Sequence, residues 1–227
     1  MTRPLIIAHR GASAVAPENT TAAFQAAIAA GAEGIEFDVR LSRDGVPVVI
    51  HDETLYRTHG LRRRVGDMTS HELNPIDVPS VEQLFELFAS NKLLLYLELK
   101  DVRIELAEAC CRLVEEYRFK DRVVFECFDH SALALVNNID PNLKTAALFQ
   151  PPSSFILKRA QAVGASEIAL HHRLANKRLV EKARLANLKV VIWTVDDPAW
   201  VSRARAYGID ALITNNPAAL LAARDTV

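Results

Sequence analysis

Short apolar runs alternate with amphipathic stretches of helical length along the whole chain, and that alternation restricts the fold to a parallel sheet covered by helices. Candidate strands are Leu5–Ala8, Gly34–Val39, Pro47–Ile50, Leu93–Leu99, Arg122–Glu126, Leu143–Leu148, Glu167–Leu170, Lys189–Thr194 and Ala211–Ile213. Among the helical stretches, Thr20–Ala30 has Asn19 or Thr20 as its cap and Gly31 as its stop, and Leu174–Asn187 and Ala199–Tyr207 follow the same pattern. Nine strands are one too many for an eight-stranded barrel. Pro47–Ile50, however, follows Asp44-Gly45, a strong hairpin signal, and is expected to run antiparallel as an outgrowth. Eight parallel strands remain. The expected fold is a compact (β/α)8 TIM barrel, smaller than the usual ~250 residues, forming a single domain over 1–227. No Gly-x-Gly-x-x-Gly follows the first strand, which disfavours a dinucleotide-binding sheet.

Charge and cysteine usage narrow the function classes. Lys plus Arg number 27 against 28 Asp plus Glu, so the net charge of −1 lacks the basic excess of a nucleic-acid binder. Three cysteines cannot form a fully paired disulfide framework, and their spacing is not that of zinc ligands. Leu5–Ala8 is too short for a signal-peptide core, and Leu93–Leu97 is closed by Glu98 far short of a membrane span. A cytoplasmic protein without stable membrane insertion is expected.

In such a barrel the chemistry sits at the C-terminal ends of the strands. His9 and Arg10 end the first strand. In the second, Ile35, Phe37 and Val39 alternate with Glu36, Asp38 and Arg40, so period two places both carboxylates on one face. Glu98 and Lys100 share a face of the next barrel strand, with Leu97 and Leu99 opposite. Three carboxylates converging in a partly desolvated mouth repel one another, at a cost of several kcal/mol per unpaired ion. Arg10 and Lys100 offset part of that cost. A divalent cation would offset the rest, and all-oxygen ligation favours Mg²⁺ or Ca²⁺ over zinc. The competing reading is an ion-pair cluster with a structural role only. If Asp44 and Gly45 alone form the turn, His51 falls opposite Asp38 and joins His9 beside the carboxylates. Two imidazoles there suit general acid–base catalysis.

At these residues the sequence resembles the glycerophosphodiester phosphodiesterase family. The matching elements, in order, are His9-Arg10-Gly11, Pro17-Glu18-Asn19-Thr20, Glu36-Phe37-Asp38-Val39, Asp44-Gly45-Val46-Pro47-Val48-Val49, His51-Asp52, Glu98-Leu99-Lys100, Trp193-Thr194-Val195 and Ile213-Thr214 followed by Asn-Asn-Pro. The resemblance implies a TIM-barrel hydrolase that cleaves glycerophosphodiesters, as small-molecule substrates, to an alcohol and sn-glycerol 3-phosphate with one divalent cation, Mg²⁺ or Ca²⁺. It implies His9 and His51 as the acid–base pair, in either order, and Glu36, Asp38 and Glu98 as metal ligands. Arg10 and Lys100 would hold the phosphate, and Trp193 would line the substrate side. A lysophospholipase D-like enzyme would keep this site and add an acyl groove; a catalytically dead binding module would not need both histidines. The chain departs from the family pattern in a shortened stretch between His51 and Pro79-Ser80-Val81, in Cys127-Phe128 for Ser-Phe, in Asn215 for Asp, and in Asp196 where Asn is usual. Arg62-Arg63-Arg64 reads as a solvated loop, and His59, His71, His130, His171 and His172 as structural.

Overall fold

Each of the nine apolar runs becomes a strand, within two residues of its expected bounds. The computed structural model describes residues 3–226. The strands are β1 Leu5–His9, β2 Gly34–Leu41, β3 Pro47–Val49, β4 Leu94–Leu99, β5 Val123–Cys127, β6 Lys144–Phe149, β7 Glu167–His171, β8 Lys189–Trp193 and β9 Ala211–Thr214. Eight of them pair in parallel in the order β1-β2-β4-β5-β6-β7-β8-β9, and β1 bonds to both β2 and β9, so the sheet closes into a TIM barrel. The third strand stands outside the barrel, antiparallel to the upper half of β2.

The hairpin register differs by one residue from the expected one. Val39 faces Val49 and Leu41 faces Pro47, and the Ile50 amide bonds to the Asp38 carbonyl, so Ile50 lies opposite Asp38 and His51 is one step further on. The turn holds three residues. Ser42 and Val46 close it, and Gly45 takes the left-handed conformation (φ 76°) of a bulged three-residue loop.

Strand alternation separates two apolar layers. Ile35, Phe37, Val39, Leu95, Leu97 and Leu99 point outward against Phe24, Phe85 and Phe88 of the covering helices. Phe24 meets Phe37 at 6.3 Å and Phe88 at 5.8 Å, both edge to face. Each such fully buried side chain contributes about 1.5–3 kcal/mol. Inside the barrel Ile7, Tyr96, Val124, Ala146, Ala169 and Val191 fill the lumen. The segment between β3 and β4 carries its own small core of Ile50, Leu55, Val65, Met68, Leu73 and Val78, packed on Val48 of β3.

Helix Thr21–Ala29 is capped by Thr20, whose hydroxyl accepts from the Ala23 amide. Asn19, the other candidate cap, is used elsewhere. The expected Leu174–Asn187 helix runs only from Lys177 to Leu185, because Asn176 caps it and His172–Leu174 forms a separate 3-10 turn. All three cysteines are free and buried, and among the described residues no helix is long and apolar enough to cross a membrane.

The loop after β1 crosses the N-terminal helix with almost no clearance. Gly11 has φ +81°, and a Cβ there would lie 2.6 Å from the Ala23 carbonyl carbon. Gly11→Ala is therefore expected to destabilise the fold by about 2–4 kcal/mol. Chemical denaturation should show a lower midpoint with an unchanged slope; a change below about 0.5 kcal/mol would mean that the loop relaxes freely.

Candidate active site

The charged candidate site residues all lie at the C-terminal mouth of the barrel. Strand pairing sets His9 beside Glu36, Asp38 beside Glu98, and Glu98 beside Glu126. His9, Arg10, Glu36, His51, Glu98, Lys100 and Trp193 all line one cavity of ≈ 140 Å³, with Glu126, Phe128, Leu148, Gln150 and Ile213 completing its wall. That is room for several waters or a small polar ester, since one water needs about 10–15 Å³ on this measure.

Backbone strain positions the first cation. Arg10 has φ 56°, a left-handed value that a non-glycine residue adopts at a cost of order 1–3 kcal/mol. In this conformation its amide donates both to the Glu36 carbonyl at 2.8 Å and to Glu36 Oε2 at 3.0 Å. Its guanidinium lies 3.0 Å from Asp38 Oδ2 and 2.9 Å from Glu18 Oε1. Asn19, at φ 59°, donates from Nδ2 to Asp38 Oδ2 at 2.8 Å. Lys100 Nζ lies 2.7 Å from Glu98 Oε1 and 3.3 Å from Asp38 Oδ1.

The electrostatics are uneven. Burial and then the Asp38 charge push the Glu36 carboxyl well above the usual carboxylate range, and the same two causes push Glu98 up to about 7. Burial would raise Asp38 too, but Arg10 and Lys100 outweigh it and hold Asp38 well below the usual range. Glu126 is also raised well above its range, by burial first and then by Glu98. Four carboxylates thus face two cations, Arg10 and Lys100, in the inner cluster, and full ionisation leaves two negative charges uncompensated.

That residual charge matches one divalent cation. Glu36, Asp38 and Glu98 each offer an oxygen, and the three oxygens lie within 4.8 Å of one another. Glu36 Oε1 and Asp38 Oδ1 are sealed from solvent and accept no well-aligned hydrogen bond, although Asp38 Oδ1 has the Lys100 ammonium at 3.3 Å. Buried carboxylate oxygens normally have a partner. Hard donors lacking one fit a hard cation such as Mg²⁺ or Ca²⁺.

Both histidines are held from behind. His9 Nδ1 lies 2.7 Å from Asn215 Oδ1, and the Asn215 amide group donates from Nδ2 to Asp196 Oδ2 at 2.7 Å. Asn215 Oδ1 is therefore the acceptor, His9 carries its proton on Nδ1, and Nε2 remains free, 3.8 Å from Glu36 Oε2. His51 Nδ1 lies 2.6 Å from Asp52 Oδ1, which likewise leaves Nε2 free. Burial, then Arg10, lowers the His9 pKa; burial also lowers that of His51 against the opposing pull of Asp38 and Asp52. Arg57 bonds at once to Asp52 and Glu18, clamping the acid behind His51 to the acid that holds Arg10.

With this geometry, the profile of the Glycerophosphoryl diester phosphodiesterase family matches residues 9–219. The chain belongs to that family. A glycerophosphodiester phosphodiesterase of Caldanaerobacter subterraneus subsp. tengcongensis is 34% identical over 96% of this chain and 97% of its own. An Oleispira antarctica phosphodiesterase, solved in complex with the product sn-glycerol-3-phosphate, superposes with a TM-score of 0.91 at 26% identity, covering 98% of this chain and 97% of that one. A glycerophosphodiester phosphodiesterase from Thermotoga maritima gives 0.84 at 27% identity, over 98% and 99%.

Two of the departures from the family pattern meet in space. Asp196 accepts from the Asn215 amide at 2.8 Å and from its side chain at 2.7 Å, so one carboxylate and one amide are kept with their positions exchanged. In this phosphodiesterase-family chain a neutral amide therefore backs His9. Glu126, Glu18, Asn19, Asp52, Arg57, Asn215 and Asp196 were not among the candidate site residues. Only Glu126 has a local signal: Val123, Phe125 and Cys127 join the outer layer, so period two turns Glu126 inward. The arginine run is a solvated loop, with Arg64 paired to Glu53 and Arg63 3.9 Å from Glu72. His171 packs edge to face on Trp193 at 5.2 Å, and His172 Nδ1 meets the Thr194 carbonyl at 2.9 Å.

Proposed function

We propose that this chain, as one catalytic domain, hydrolyses glycerophosphodiesters to an alcohol and sn-glycerol 3-phosphate with a divalent cation and a histidine acid–base pair. One observation carries the reading. Two imidazoles, each engaged at Nδ1 and free at Nε2, line the same cavity as a buried three-carboxylate cluster with orphaned oxygens.

Glu36, Asp38 and Glu98 would hold the cation, Mg²⁺ or Ca²⁺. When bound it supplies Lewis-acid stabilisation of the charge that develops on the phosphoryl oxygens. The remaining steps belong to the chain. Arg10 and Lys100 attract and orient the phosphodiester, and both stay charged because the surrounding carboxylates, Asp38 foremost, together outweigh the effect of burial. His9, half-buried and backed by a neutral amide, has its imidazolium form disfavoured by burial and by Arg10, and takes the proton from the nucleophile, either water or a glycerol hydroxyl. His51 is backed by the Asp52 carboxylate, which opposes the lowering of its pKa by burial, and it donates a proton to the leaving alkoxide. Trp193 Nε1 is buried without a partner, and its proton is available to a glycerol hydroxyl.

The test is product analysis with purified protein and glycerophosphocholine or glycerophosphoethanolamine. Glycerol 3-phosphate and free alcohol should appear in equal amounts. Release of phosphocholine, or no turnover of any glycerophosphodiester, would overturn the assignment. Choline release from a lysolipid alone would point instead to a lysophospholipase D-like enzyme.

A further inference from the structure

The chain segments that bear the proposed site residues run on to a second cavity of ≈ 420 Å³. Its wall includes Arg40, two residues beyond Asp38; Glu53, two beyond His51; and Asp101 and Arg103, which follow Lys100. Arg40 Nε donates to the His51 carbonyl, so the cavity adjoins the segment that carries the proposed proton donor.

The charges in this cavity are not evenly satisfied. Arg64 pairs with Glu53, and Arg103 pairs with Asp101 at 2.8 Å. Asp67 is exposed. Arg40 makes no ion pair among the described residues. Its Nε donates to the His51 carbonyl at 2.8 Å, and its two terminal amino groups have no hydrogen-bond partner among the described residues. A half-buried cation with free donors, one hydrogen bond from the histidine, lacks an anion.

We propose that this cavity is the subsite for the leaving alcohol, and that Arg40 selects glycerophosphodiesters whose alcohol carries an anionic group such as a carboxylate. The proposal rests on the hydrolytic reading above and deepens it by naming the substrate class. Glycerophosphoserine and glycerophosphoethanolamine differ by one carboxylate on an otherwise identical leaving alcohol, which makes them the decisive pair.

The experiment compares kcat/KM for the two diesters in the wild type, Arg40→Gln and Arg40→Lys. In the wild type the serine ester should be preferred by about tenfold, the scale of one charge-assisted hydrogen bond in a partly solvated site. Arg40→Gln should bring the ratio to about one, and Arg40→Lys should keep a reduced preference. The ratio cancels any general effect of losing the bond to the His51 carbonyl. A wild-type ratio near one overturns the proposal without any variant, and so does a preference that survives in Arg40→Gln. If the wild type hydrolyses neither diester, the hydrolytic reading fails and the subsite falls with it; hydrolysis of both without preference removes the subsite alone.

Discussion

Glu36→Gln is expected to lower turnover by about 10³-fold or more while leaving a folded protein, because it removes one proposed ligand of the cation that stabilises the phosphoryl charge. The same change separates the metal site from a purely structural ion-pair cluster. Glu36 is buried, its ionised form is disfavoured by burial and then by the Asp38 charge, and its Oε1 has no hydrogen bond. Without a cation, replacing this carboxylate relieves repulsion, so the metal-free variant should melt at or above the wild type. Adding Mg²⁺ or Ca²⁺ should raise the wild-type melting temperature, since ligand at about 100 Kd contributes about 2.7 kcal/mol, and should leave the variant unmoved. In a structural cluster the signs reverse. Breaking a buried ion pair costs about 3–5 kcal/mol, and the metal-free variant would melt well below the wild type.

His51→Ala and His9→Ala should part company when the leaving group is changed. Loss of an acid–base residue typically costs about 10²–10⁴ in rate, and both variants should lose that much on glycerophosphoethanolamine. The p-nitrophenyl ester of glycerol phosphate expels a phenolate that needs no proton. On this substrate His51→Ala should recover to within about tenfold of the wild type, whereas His9→Ala should stay impaired, because the nucleophile still has to be deprotonated. Equal loss by His51→Ala on both esters would remove it as the acid. Recovery by His9→Ala would exchange the two roles.

The barrel and its acidic cluster are legible in the sequence because both follow from local periodicity. Ile35, Phe37 and Val39 against Glu36 and Asp38 determine which face is which before any tertiary contact is known, and Glu126 obeys the same rule. The hairpin register is not legible, because Asp44-Gly45 suits both a two- and a three-residue loop; the choice falls to Ser42 closing on Val46. Also hidden is the frame behind the site. Asn19 reaches Asp38, Arg57 joins Glu18 to Asp52, and Asp196 orders Asn215 behind His9. These contacts cross between loops, and no period along the chain encodes them. The second cavity depends in turn on which arginines find partners. Arg64 and Arg103 do and Arg40 does not, a difference set by tertiary geometry alone.

Metal dependence of glycerol 3-phosphate release tests the account most directly. Release from glycerophosphoethanolamine should fall to background after EDTA treatment and return when Mg²⁺ or Ca²⁺ is added back in excess, with Glu36→Gln unresponsive to either ion. Robust release that EDTA does not diminish would contradict the assignment of Glu36, Asp38 and Glu98 as ligands of an essential cation.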